Sequence, residues 1–214
     1  INVPDSLALR MKMPKNEVEK VLETYQYAND ALGGFVEKVS KSDFGVKTII
    51  GASGDHNLSL LMGRGYSNFR DYGLKHEVPF FLYAPKIYLD QNGFVYNPNR
   101  IGSHKDIFPT LFNLSLSDAK YLNFGENILE KENKFVNKEK INFGYNKSAA
   151  ILDDGIINFG LHDMFYKWDN DKKLSVAKSS GLDAKHKKIL SHIRAYEYLL
   201  FWQYQKQLEM AKIS

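Results

Sequence analysis

The stretch Val46-Lys-Thr48-Ile-Ile-Gly-Ala-Ser53-Gly-Asp55-His56-Asn57 decides how the fold is read. Its first seven residues are a short β-branched apolar run, the pattern of a buried strand, and they pass directly into small and polar residues where a strand must end. Polar residues at the carboxyl end of such a strand sit where open α/β sheets place their ligands. Asp55 supplies a hard oxygen and His56 a borderline nitrogen, which together suit Zn²⁺ or Mn²⁺ but do not complete a metal site. An arbitrary Asp-His pair is more often a turn-capping Asp beside a surface His, so the surrounding segments decide its weight. Ser53 is a poor nucleophile candidate, because Gly51-Ala-Ser53-Gly-Asp55 puts Asp55 where a nucleophile elbow needs its second Gly.

Upstream of this strand, apolar residues from Val18 through Leu22, Tyr25, Ala28, Leu32 and Phe35 to Val39 recur at spacings of three and four, which predicts a long helix after Pro14 with one buried face. Asn16 and Glu19 resemble a capping box at its start, and Gly33-Gly34 mark a close packing contact or a weak point within it. Downstream, the loop-like stretch 58–76 leads to a second core strand between Pro79 and Pro85, and residues 106–114 read as a short helix with Asp106 as N-cap and Pro109 in its first turn. Between residues 135 and 174 short apolar runs broken by Asp153-Asp154-Gly155 and Asp169-Asn170-Asp171 predict antiparallel hairpins. A closing helix spans about residues 183–212, with Ile189, Ile193, Tyr196, Leu199, Leu200, Tyr204 and Leu208 on one side. This order predicts an α/β fold in one domain, with residues 1–134 as the α/β core and 135–214 as an antiparallel appendage with its helix.

Composition narrows the chemistry. With no Cys among 214 residues, disulfide scaffolds, thiolate metal centres and a thiol nucleophile within this chain are excluded. A net charge of +4, from 29 basic and 25 acidic residues spread along the chain, makes no nucleic-acid footprint. The basic cluster Lys185-His-Lys-Lys188 reads as a solvated helix face, Gly63-Arg-Gly65 lacks a following helix signal, and His76, His104, His162, His186 and His192 default to structural or surface roles. No apolar run reaches the roughly 18 to 20 residues that span a bilayer.

Four stretches in order carry a resemblance: Tyr27-Ala-Asn-Asp30-Ala-Leu-Gly-Gly-Phe35, then Thr48 to Asn57, then Glu77-Val-Pro-Phe-Phe-Leu-Tyr-Ala-Pro85, then Gly102-Ser-His-Lys-Asp106-Ile-Phe-Pro109-Thr110-Leu111. The set resembles the C-terminal half of the sulfatase-like domain of the alkaline phosphatase superfamily, and within it the lipoteichoic acid synthase and phosphoglycerol transferase branch. The resemblance covers residues 25–115; beyond that it is architectural.

The resemblance implies a mostly parallel alkaline-phosphatase-like sheet with flanking helices, and a divalent metal held by Asp55 and His56. His56, where sulfatases more usually have Asn, tilts the expectation towards the transferases and towards Mn²⁺, Zn²⁺ or Mg²⁺ over the oxygen-seeking Ca²⁺. The resemblance places the nucleophile and the other acidic ligand upstream of Ile1, so no catalytic residue is expected in this chain and the chain alone is expected to be inactive. Val3-Pro4-Asp5 looks like the segment that follows a substrate-contacting His of the transferases, and the chain reads as the interior of a longer protein. The implied substrate is a phosphate or sulfate ester, such as a phospholipid or an envelope glycan. The parent protein would be anchored by membrane helices outside this chain, on the extracytoplasmic face of the cytoplasmic membrane. Its upstream half, or another chain, would cover the open sheet edge. The competing readings are a sulfatase acting on sulfate esters, a non-catalytic module binding an anionic envelope glycan or lipid, and an unrelated α/β domain.

Overall fold

The computed structural model describes residues 2–57, 76–92, 94, 97, 100–115, 119–121, 125–129, 143–160, 162–169 and 176–211. Helix α1 (Asp5–Met11) ends where Lys12 adopts a left-handed conformation with φ of 52°, and its backbone N–H returns to the Ala8 and Leu9 carbonyls. Pro14 follows, and with its φ preset and no N–H to leave unpaired it caps the long helix α2 (Lys15–Ser40). The helix therefore starts before the Asn16 and Glu19 pair that resembles a capping box. Val3, Ala8, Met11, Met13 and Val18 form a small core here, with Leu7, Val21 and Leu22 against it. Beyond Val18 the expected face of α2 is only half-buried, at Val21, Leu22, Leu32, Val36 and Val39, and it leaves Tyr25 45% and Phe35 54% exposed. A Cβ at Gly33 or Gly34 would meet nothing within 4 Å, so neither glycine serves a close contact.

A 3-10 turn (Gly45–Lys47) replaces the first part of the expected strand, leaving β1 as Ile50–Ser53. It pairs with β2 (Phe80–Tyr83) in antiparallel register, Ile50 opposite Tyr83 and Ser53 opposite Phe80. Every ladder among the described residues is antiparallel, which corrects the expectation of a mostly parallel sheet there. Two short apolar runs separated by a long connection specify burial but not direction. Helix α3 (Lys86–Asn92) follows β2, and a 3-10 turn (His104–Asp106) leads into α4 (Ile107–Ser115), with Pro109 in its first turn as expected.

Strands β3 (Phe143–Tyr145), β4 (Ala149–Leu152), β5 (Gly155–Asn158), β6 (Met164–Trp168) and β7 (Val176–Ser180) form an antiparallel meander in chain order. Asn146 turns β3 into β4, its side-chain oxygen accepting from the backbone N–H groups of Ser148 (2.8 Å) and Ala149 (3.0 Å). Gly155 is required for a different reason, since any Cβ there would collide with the Tyr166 carbonyl and the Phe165 ring. Helix α5 (Ala184–Ala211) closes this part, packing Ile189 and Ile193 against Ala150, Leu152, Ile157 and Phe165. The mixed α/β class, the antiparallel C-terminal sheet and the closing helix are as the sequence predicts.

The chain divides into two compact units, one comprising residues 1–94, 111–117 and 172–175, the other 95–110, 118–171 and 176–214. The Gly63-Arg-Gly65 motif, residues 58–75 and 135–142, and Asn170-Asp171 of the second predicted hairpin turn lie outside the described residues.

Candidate metal site at the end of β1

The backbone pairing of β1 with β2 continues one step past the strand, where the Gly54 N–H donates to the Pro79 carbonyl at 3.3 Å. The Ser53 hydroxyl lies 3.0 Å from the Gly54 carbonyl and 3.1 Å from that of Pro79, so its single proton is engaged by backbone acceptors. The chain then bends and presents Asp55 and His56 outward, their side chains 88% and 72% exposed.

Each of the two residues has one polar atom fixed and one left towards its partner. Asp55 Oδ1 accepts the His56 backbone N–H at 2.9 Å, and His56 Nδ1 lies 2.7 Å from the Asn57 carbonyl oxygen. A carbonyl only accepts, so Nδ1 carries the proton in that contact. Nε2 and Asp55 Oδ2 stand 3.5 Å apart. Two donors bonded to one tetrahedral cation at about 2.1 Å are separated by roughly 3.4 Å, so this pair can occupy two neighbouring positions on a single metal. A backbone carbonyl behind the ligating imidazole is also the usual support for a metal-bound His. The donor set fits the divalent ion expected for it. Among the described residues no group of three or more His, Cys, Asp or Glu could hold a metal.

The other residues singled out from sequence are placed differently. Asp106 is buried, its Oδ2 accepting the Ser103 N–H (2.8 Å) and its Oδ1 the Glu126 N–H (2.7 Å) and Lys105 Nζ (2.6 Å). Thr110, fully buried, donates to the Asp106 carbonyl (2.7 Å) and accepts the Ile128 N–H (3.1 Å). This motif builds the start of α4. His104 opens the 3-10 turn before it. Lys185, Lys187 and Lys188 face solvent as expected, while His186 turns inward and stacks on Phe165 with ring centroids 3.8 Å apart. Sequence reasoning also left Asn57 unremarked, although its carbonyl holds the His56 ring and its side-chain amide donates to the Glu77 carbonyl at 3.1 Å.

The family model for sulfatases matches residues 5–115, just over half of the chain, with Asp55 and His56 inside the matched span. The chain belongs to the sulfatase family. No curated protein and no solved structure matches it. Sulfatase family membership carries enzyme-like chemistry on sulfate or phosphate esters, by hydrolysis or transfer, and the family is typically metal-dependent. The alkaline-phosphatase-like fold expected from the ordered motifs agrees with that membership.

Proposed function

We propose that this sulfatase-family chain is the C-terminal portion of a metal-dependent phosphoryl- or sulfuryl-ester transferase of phosphoglycerol-transferase type, with Asp55 and His56 as two of its metal ligands. The observation that carries this reading is the 3.5 Å approach of His56 Nε2 to Asp55 Oδ2, with the other ring nitrogen committed to a carbonyl. An imidazole ligand favours Mn²⁺, Zn²⁺ or Mg²⁺ over Ca²⁺. The bound cation would neutralise charge on the ester oxygens and lower the pKa of the attacking hydroxyl. This chain's residues bind and orient: Asp55 brings a negative oxygen and His56 a neutral nitrogen, each braced by the backbone, at an exposed rim that an ester substrate reaches from solvent.

The nucleophile and the remaining acidic ligand belong to sequence upstream of Ile1 in the parent protein. The substrate is a phosphate or sulfate ester of a phospholipid or envelope glycan, and the parent works on the outer face of the cytoplasmic membrane, anchored by helices of its own. Among the described residues β1 and β2 pair only with each other. Unpaired strand edges invite pairing, so the upstream half, or another chain, covers them.

Metal analysis of the purified chain after equilibration with Mn²⁺ or Zn²⁺, alongside Asp55→Ala, tests the reading. One equivalent of metal, lost in the variant, together with no turnover of chromogenic phosphodiesters or sulfate esters by the chain alone, is the expected result. Hydrolysis by the isolated chain would overturn the half-site assignment. Metal-independent binding of an anionic glycan, unchanged by Asp55→Ala, would instead make the chain a non-catalytic module.

A further inference from the structure

We propose that Asn57 is a positioning residue that sets the tautomer of His56 for metal binding, an inference that rests on the metal reading of the site. His56 is largely exposed, so packing does not fix its ring, unlike that of His186, which is 4% exposed and stacked on Phe165. What orients the ring is the Asn57 carbonyl, 2.7 Å from Nδ1. That carbonyl is in turn held in place from the other strand, because the Asn57 side-chain amide donates to the Glu77 carbonyl at 3.1 Å. The tie prolongs the β1–β2 pairing past the Gly54 N–H to Pro79 hydrogen bond, so the register of the two strands reaches the imidazole through Asn57.

The chemical consequence lies in where the ring proton sits. In water a neutral histidine side chain carries its proton mainly on Nε2, a form that cannot ligate through Nε2. Hydrogen bonding of Nδ1–H to a carbonyl favours the form whose Nε2 lone pair is open to a metal, and it works against the Asp55 carboxylate, which at 3.5 Å from Nε2 favours a proton there. Asn is suited to this because it has both parts: a backbone carbonyl to hold the ring, as any residue has, and a side-chain N–H to anchor that carbonyl. Ala keeps only the first. Asp keeps the shape but has no proton to give to Glu77.

The test uses the ¹⁵N-labelled 214-residue chain, metal-free, at a pH where imidazole is neutral, with long-range ¹H–¹⁵N correlation reporting which ring nitrogen is protonated and calorimetry reporting Zn²⁺ affinity at the site defined by Asp55→Ala. In the wild type the His56 proton resides on Nδ1. In Asn57→Ala it moves mainly to Nε2, and Zn²⁺ affinity falls about tenfold to a hundredfold, the usual effect of losing a residue that supports a ligand. Asn57→Asp shows the same tautomer change, which separates the lost donor from lost bulk. Wild-type tautomer and affinity persisting in Asn57→Ala would overturn the inference alone. A wild type protonated on Nδ1 that takes up no Zn²⁺ would overturn the metal reading of the site, and with it the purpose assigned to Asn57.

Discussion

Asp106 is charged and buried, and each of its carboxylate oxygens has a donor, from Ser103, Glu126 or Lys105. Removing the carboxylate leaves the Lys105 ammonium, itself only 12% exposed, without its counter-ion, and strips two backbone N–H groups of their acceptor. Breaking a buried pair from one side costs about 3–5 kcal/mol, so Asp106→Ala is expected to lower stability by that order in urea unfolding, with Asp106→Asn milder because one acceptor survives. Asp154 shows a more exposed version of the same balance. Burial works to raise its pKa, but the Lys185 hydrogen bond at 2.8 Å and the charges of Lys185 and His186 outweigh it and hold the pKa below the ordinary aspartate value. A folded pKa below the unfolded one means that the carboxylate's contribution is complete above the unfolded value and is lost as pH falls through the folded one. The stability difference between wild type and Asp154→Asn should therefore be flat from neutrality to about pH 5 and shrink below about pH 4, as thermal melts across that range will show.

At the scale of elements, the two long helices show how far periodicity can be trusted. The spacing of apolar residues in α2 and α5 is real, but it says that a face can be buried and not how much sheet is present to bury it. In α5 the stripe is buried at Ile189, Leu190 and Ile193, then continues into Leu200 (44% exposed) and Tyr204 (58%). Equal-looking residues on one stripe should then differ in energy. Ile193→Ala is expected to cost about 2–4 kcal/mol, whereas Tyr204→Ala, at a site 58% exposed, should change the stability of this chain by less than about 0.5 kcal/mol. The glycines divide in the same way. Gly33→Ala adds a Cβ into open space within a helix and should stabilise by about 1 kcal/mol, while Gly155→Ala forces β5 away from the Tyr166 carbonyl and should destabilise. Denaturant midpoints of the four variants check both contrasts.

For the whole molecule, what was legible in sequence follows from which features are local. The end of the strand before Asp55, the hairpin that turns at Asp153-Asp154 and the helix with Pro109 in its first turn rest on neighbours a few residues away, and each appears where expected. The antiparallel course of β2 against β1, and the tie from Asn57 to Glu77, join residues 20 or more positions apart, and no composition or period encodes them. The candidate pair, Asp55 and His56, stands out by residue type, and its contacts lie between adjacent residues, with only the Asn57 tie to Glu77 reaching across the chain. Both candidate ligands and the residues that brace them, from Ser53 to Asn57 and from Glu77 to Pro79, belong to one compact unit. A cation that binds the folded site and not the unfolded chain stabilises by mass action, by about 2.7 kcal/mol at a concentration 100 times its dissociation constant. That stabilisation belongs to the unit that must be folded for the site to exist. Hydrogen exchange with and without Zn²⁺ should therefore show added protection at β1 and β2 and none that depends on Asp55 in the meander of β3 to β7. Equal protection of both regions, abolished together by Asp55→Ala, would show instead that the units open as one cooperative body.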